Sequence, residues 1–183
     1  MSRLLLLALL LGLVLRRLLF PKAPLPNLAP LKAPWLFIAA ALVEVGAALA
    51  VLRDLLPGEA AGPLAQAVAY ALLLVGFVLN LRRPGMALAA LGGVLNALVV
   101  FANGGHMPVF PEALARAGLE EHQELLRHAG DATHLLVEGR ARLGFLGDWI
   151  ALPGVVLSPG DLLIVAGVFL LVLAPPPRGQ GEA

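Results

Sequence analysis

Two aspartates, Asp148 and Asp161, lie thirteen residues apart in a chain with few charges. Carboxylates brought into contact can share a proton and activate water, so the pair is a candidate catalytic dyad. Asp161 also has a simpler reading. In Ser158-Pro159-Gly160-Asp161 the serine fits a helix N-cap, the proline the first helical position and the acid a place that complements the helix dipole. Glu44 falls near the middle of an apolar run, where an ionised carboxylate costs about 2.5–3.5 kcal/mol on insertion scales. It therefore has to be protonated, paired or hydrated. A proton relay, a polar site between helices, or a protonated acid bonded to Asn96 or Tyr70 would each account for it. Asn96, Asn103 and His106 complete the binding candidates. Asn103-Gly104-Gly105-His106 directly follows an apolar run, and its glycines permit positive φ and exposed amides. There the chain either re-enters the membrane interface or caps a helix and turns.

Glu121, Glu124 and His128 follow an i, i+3, i+7 spacing that puts them on one helix face. With Asp131 and His134 nearby they form a set of carboxylates and imidazoles of the kind that binds zinc or another divalent ion. No H-E-x-x-H spacing is present, and Gly130 interrupts the helix before Asp131. A solvated charged face is the expectation, with Glu124, His128, Asp131 and His134 as the weaker metal candidates. No cysteine is present, which removes disulfides, thiolate metal sites and cysteine nucleophiles. A net charge of +1 offers no basic field for nucleic acid. P-loop, Rossmann, serine-triad and haem-attachment patterns are missing, so no cofactor is expected.

The elements that must position these residues follow from composition. Of 183 residues, 60% are hydrophobic and 14% charged, against roughly 45–50% and 25% in soluble domains. The excess belongs in a bilayer. The expected fold class is an all-α integral membrane protein forming a single membrane domain over 1–183. Apolar runs bounded by charge or proline predict five spans, at about 4–20, 35–52, 64–81, 86–102 and 159–174. The first is uncleaved, with Arg16 and Arg17 snorkelling to the headgroups, and a five-proline connector follows it on the membrane surface. The last is short for a full crossing. The Ala/Gly-rich fourth span suits close packing, against another helix, a partner protein or a second copy.

Arg16, Arg17, Lys22, Lys32, Arg82, Arg83 and Arg178 fall on one side of this arrangement. By the positive-inside rule the N-terminus is outside and the C-terminus cytoplasmic. The external segment, about 103–158, holds all four histidines. Within it an amphipathic surface helix is expected over about 112–129, opened by Pro111 and closed by Gly130, with a less regular stretch after it.

Taken together, Asn-Gly-Gly-x-Met-Pro-Val at 103–109, Leu-Gly-Asp at 146–148 and Ser-Pro-Gly-Asp at 158–161 resemble an uncharacterised family of small bacterial polytopic membrane proteins, a domain of unknown function. The resemblance implies a multi-pass protein of the bacterial inner membrane and carries no activity over. A second, smaller likeness covers the C-terminal helix: Asp161-Leu162-Leu163-Ile164-Val165-Ala166-Gly167-Val168 is similar to the last span of lipoprotein signal peptidase, an intramembrane aspartyl enzyme. The Asn-x-x-Asp-Arg element of that enzyme is missing here, and Asp148 would have to supply the second carboxylate. Three functions are thus in view. The preferred one is a non-enzymatic accessory or structural subunit, or a binder of lipid or a small apolar molecule. The others are an aspartyl hydrolase using Asp148 and Asp161, and a proton-coupled transporter centred on Glu44 and Asn96.

Overall fold

The computed structural model describes residues 2–21, 31–53, 55–128 and 133–174. Five long helices carry most of it: α1 (Ser2–Leu19), α2 (Trp35–Leu52), α3 (Gly58–Leu79), α4 (Met86–Ala102) and α7 (Pro159–Leu173). They pack as a row in the order α2, α3, α4, α7, α1, and the contact between α4 and α7 is the most extensive. Helix α3 begins six residues before the expected start and runs through Pro63. Within it, Gly62–Leu79 is long and apolar enough to cross a bilayer, whereas the apolar stretches of α2, α4 and α7 are shorter.

Small residues set the α4–α7 contact. Ala89, Gly92 and Gly93 are buried on α4, and a Cβ added at Gly160 would fall on the Asn96 side chain and 2.6 Å from the Gly92 carbonyl oxygen. The close approach brings the two helices into dense van der Waals contact. The small-residue face of the fourth apolar helix thus packs within the chain. At the end of the bundle where α3 passes to α4, Phe77, Met86 and Ala89 form a core cluster with Phe37 and Leu171 against it. At the opposite end Val99, Val100 and Met107 form a second, covered by Tyr70 and Leu146.

Arg16 does not reach away from the bundle as expected. It is buried and donates to the carbonyls of Ala174 and Val172 at the end of α7, where a cation meets the negative end of the helix dipole. Arg17 is exposed and bonds the Pro21 carbonyl oxygen at 2.7 Å.

The segment between α4 and α7 differs from a purely helical expectation. The single surface helix over 112–129 is two helices, α5 (Pro111–Arg116) and α6 (Glu120–His128). Gly118 takes φ of +70° between them, a conformation that ends a helix and costs glycine no steric clash. Four short strands accompany them. β1 (Met107–Val109) pairs in parallel with β2 (His134–Leu136), and β3 (Ile150–Leu152) forms a hairpin with β4 (Val155–Leu157). Val109 also bridges to Asp148, so β1 has a neighbour on both edges.

Candidate functional site

Polar and titratable side chains from α2, α3, α4, α7 and the segment between α4 and α7 gather at the end of the bundle where α4 closes and α7 starts. Asn96 and Asp161 are its centre, both buried. Asn96 Nδ2 donates to Asp161 Oδ1 at 2.8 Å, and Asn96 Oδ1 accepts from the Ser158 hydroxyl at 2.8 Å. Asp161 Oδ2 accepts from the Ser158 backbone N–H, and Ser158 Oγ accepts from the Asp161 N–H, which completes a capping box at the start of α7. Both carboxylate oxygens of Asp161 are therefore occupied, and the network bolts α4 to the first turn of α7.

Asp148 is 6% exposed. Its backbone holds it in place, the N–H donating to the Pro108 carbonyl oxygen at 2.9 Å and the carbonyl accepting from Phe110. Its Oδ2 lies 3.9 Å from His134 Nε2, while its Oδ1 is buried and has no hydrogen-bond partner among the described residues. Burial pushes the Asp148 carboxyl up to about 7; His134 pulls it back and the charge of Asp161 adds to the rise. His134 Nδ1 is 2.7 Å from the Thr133 hydroxyl. Register places His134 beside Met107 across the β1–β2 pair, which sets the imidazole next to the β1 neighbour Asp148.

Glu44 is half-buried on α2 and makes no hydrogen bond among the described residues. Its carboxyl interacts electrostatically with His134 and Asp161, and the Tyr70 hydroxyl with Asp161, Glu44 and Asp148. Asn96 is engaged by Ser158 and Asp161 rather than by Glu44. The structure thus brings Glu44, Asn96, Asp148 and Asp161 into one neighbourhood and adds Tyr70, Ser158 and His134 to it.

Asn103 and His106 stand apart from that group. Asn103 Nδ2 donates to the Val99 and Arg142 carbonyls, each at 2.7 Å, and its Oδ1 accepts from the Arg142 N–H at 3.0 Å. It is a two-point clamp on a remote backbone. Gly104 and Gly105 take φ of +72° and +90°; the Gly105 N–H returns to the Val100 carbonyl and β1 folds back against α4. No described hydrogen bond or ion pair engages His106.

Among the metal candidates Glu124 pairs with Arg127 at 3.2 Å, and Arg127 with Glu138 at 2.9 Å, on an exposed surface. His134 faces Asp148. The His128 side chain and Asp131 lie outside the described residues, and among those described no three His, Asp or Glu groups are arranged to hold a metal ion.

Sequence reasoning missed Asn80, which is buried at the end of α3. It repeats the Asn103 clamp: Oδ1 accepts from the Lys32 N–H at 2.8 Å, and Nδ2 donates to the Lys32 and Gly76 carbonyls. Its signal was an amide closing an apolar run just before Arg82-Arg83-Pro84-Gly85, at a helix C-cap. A separate groove of about 340 Å³ also escaped notice. It opens on the protein surface between α5 and residues 144–149, and Phe110, Glu112, Arg116, Phe145 and Trp149 line it.

Comparison with known proteins gives two matches. The model of a family of unknown function, DUF5317, matches residues 28–173. An uncharacterised protein of Thermotoga maritima is 32% identical over 114 residues, covering 60% of this chain and 62% of the relative, so the chain spans less than two thirds of that protein's length. No solved structure matches.

Proposed function

The chain belongs to this family of unknown function, and we propose that it is a multi-pass protein of a bacterial cytoplasmic membrane that acts by binding, with lipid as its immediate partner. One observation carries the reading: large apolar side chains stay uncovered along every long helix, among them Leu10 and Leu18 on α1, Leu42 on α2 and Leu64 on α3. Soluble monomers rarely leave contiguous apolar patches above a few hundred Å². Five crossings, N-terminus outside, account for these faces and for the basic residues gathered on one side. As the small residues of α4 already pack on α7, a partner subunit would meet the chain through another face.

The binding role is preferred over hydrolysis because Asp161 has both oxygens engaged by Asn96 and Ser158, which leaves little for a proton-sharing dyad with Asp148. The lack of cysteine makes a direct test simple. Single cysteines introduced at Ala141 and at Arg83 are labelled in intact cells with a membrane-impermeant thiol reagent, and the membranes are extracted with alkaline carbonate. The reading expects the protein in the pellet, with only the Ala141→Cys variant labelled. Release into the supernatant, or equal labelling of both variants, refutes it.

The unpartnered Oδ1 of Asp148 favours a second reading, in which the Glu44–Tyr70–Asp148–His134 neighbourhood binds a transported proton. Proteoliposomes holding a pH dye test it: Glu44→Gln and Asp148→Asn should each abolish any flux the wild-type chain supports, and unchanged flux removes it.

A further inference from the structure

The groove on the outer surface combines features that do not follow from its role in the fold. Phe145 is 68% exposed and Trp149 44%, although both are large apolar rings. The Trp149 ring is held in orientation, its Nε1 donating to the Phe145 carbonyl oxygen at 2.8 Å. Glu112 and Arg116 stand one turn apart on α5, the spacing at which a glutamate and an arginine ordinarily pair. Here they do not. Arg116 donates to the Trp149 carbonyl at 3.2 Å, and among the described residues Glu112 has no ion pair or hydrogen bond. The groove therefore presents a carboxylate and a guanidinium, unneutralised by one another, with Cβ atoms about 6 Å apart beside an exposed indole.

The depth of the groove agrees with its chemistry. Asn103, at the C-terminal end of α4, clamps the backbone of Arg142, and the 3-10 turn Gly144–Leu146, whose first two residues line the groove, packs on α4. Leu98 and Phe101 are half exposed on the same end of α4. Aromatic rings at this level belong to the headgroup zone of a bilayer.

We infer that the groove seats the headgroup of a zwitterionic phospholipid, with the phosphate on Arg116, the ammonium between Glu112 and the Trp149 ring, and the first carbons of the chains against Phe110 and Phe145. An arginine fork suits a phosphate, and an indole face beside a carboxylate suits an ammonium. An anionic lipid would satisfy Arg116 and leave Glu112 opposed; a neutral glycerolipid would satisfy neither. The inference rests on the membrane reading above.

The test uses the full chain in a non-ionic detergent with Trp35→Phe, which leaves Trp149 as the one tryptophan of two. Its fluorescence is followed as dioctanoyl phosphatidylethanolamine, dioctanoyl phosphatidylglycerol or dioctanoylglycerol is added. The phosphatidylethanolamine should give a saturable blue shift and bind about tenfold more tightly than either of the others. Glu112→Gln should remove that preference, Arg116→Gln should weaken both phospholipids, and free phosphoethanolamine should leave Trp149 unchanged. Equal binding of all three lipids, an unaltered preference in Glu112→Gln, or a full response to free phosphoethanolamine overturns the inference. A chain that stays in the carbonate pellet while Trp149 ignores headgroups overturns this inference alone; a chain released by carbonate overturns the membrane reading beneath it.

Discussion

Replacing Asp148 by asparagine should change how stability depends on pH, in a direction fixed by the site. The carboxyl is 6% exposed and burial raises it from 3.8 to about 7. The folded chain therefore holds a proton at Asp148 that the unfolded chain has released across the window from about pH 4 to 7. Stability from this group is complete below about pH 4, declines as pH rises through that window, and levels off above about 7. A difference of about three pH units at 1.36 kcal/mol each gives an upper bound of about 4 kcal/mol, and water entering beside the unpartnered Oδ1 reduces it. For a chain of this length that amounts to a melting shift on the order of 10 °C at most. The asparagine side chain is isosteric with the protonated acid and cannot ionise, so the variant should match the wild type below about pH 4 and melt higher at pH 8. The measurement is thermal unfolding in detergent, followed by tryptophan fluorescence at steps between these limits, with the wild-type-minus-variant difference as the readout. In His134→Gln, which removes the group that lowers the Asp148 value, the decline should still begin near pH 4 but continue to higher pH before it levels off. Parallel profiles for wild type and Asp148→Asn would refute the reasoning, because they would mean that the buried carboxyl does not titrate between the folded and unfolded states.

Three further substitutions test the packing around it. Asn96→Leu strips Ser158 Oγ of its acceptor and Asp161 Oδ1 of its donor; stranding buried partners costs about 1–3 kcal/mol each, read as a lower melting temperature with far-UV helix content retained. Gly92→Val pushes a side chain into the Gly160 carbonyl and Ile164, and overpacking of this kind costs about 1–3 kcal/mol, so a variant as stable as wild type would contradict the close α4–α7 contact. Asn103→Ala releases Arg142 from α4 and should raise amide hydrogen exchange over residues 142–149 while protection in α4 stays near wild type.

The helices were legible because their signals are local. Trp35 and Met86 begin helices α2 and α4 as the apolar runs predict, and Ser158-Pro159-x-Asp161 reads directly as the capping box that α7 forms. The break at Gly118 was less visible because the apolar pattern of 112–129 continues across it. The strands were hidden for a different reason. β1 and β2 hold three residues each and pair in parallel across a long loop, so no turn residue announces them. The β3–β4 hairpin was within reach, since Pro153-Gly154 separates two apolar triplets and Gly154 takes φ of +75°. In the site, residue types pointed to Glu44, Asn96, Asp148 and Asp161, but the company they keep depends on tertiary pairing. Asn96 is a partner of Asp161 and Ser158 rather than of Glu44, and His134 reaches Asp148 only because β2 lies against β1. Asn80 and Asn103 show the same limit from the other direction: a cap signal marks the residue, and nothing local identifies the Lys32 or Arg142 backbone that it clamps.

The buried carboxyl and the outer groove are two sides of one extended segment. Successive side chains along an extended strand point to opposite faces, and here Asp148 is buried toward His134 while Trp149 is exposed in the groove. Gly147 fixes the segment from behind, since a Cβ there would lie 2.7 Å from the Pro108 carbonyl oxygen. The Asp148 N–H bonds that same carbonyl, and the Trp149 carbonyl is held by Arg116. A displacement of Trp149 therefore strains the bond that keeps Asp148 beside His134, and ionisation of Asp148 acts on the same backbone in reverse. If the groove holds a headgroup, its occupancy and the protonation of Asp148 should be linked reciprocally: lipid affinity measured at Trp149 should depend on pH in the wild type and lose that dependence in Asp148→Asn. A pH dependence that survives the substitution would refute the link to Asp148.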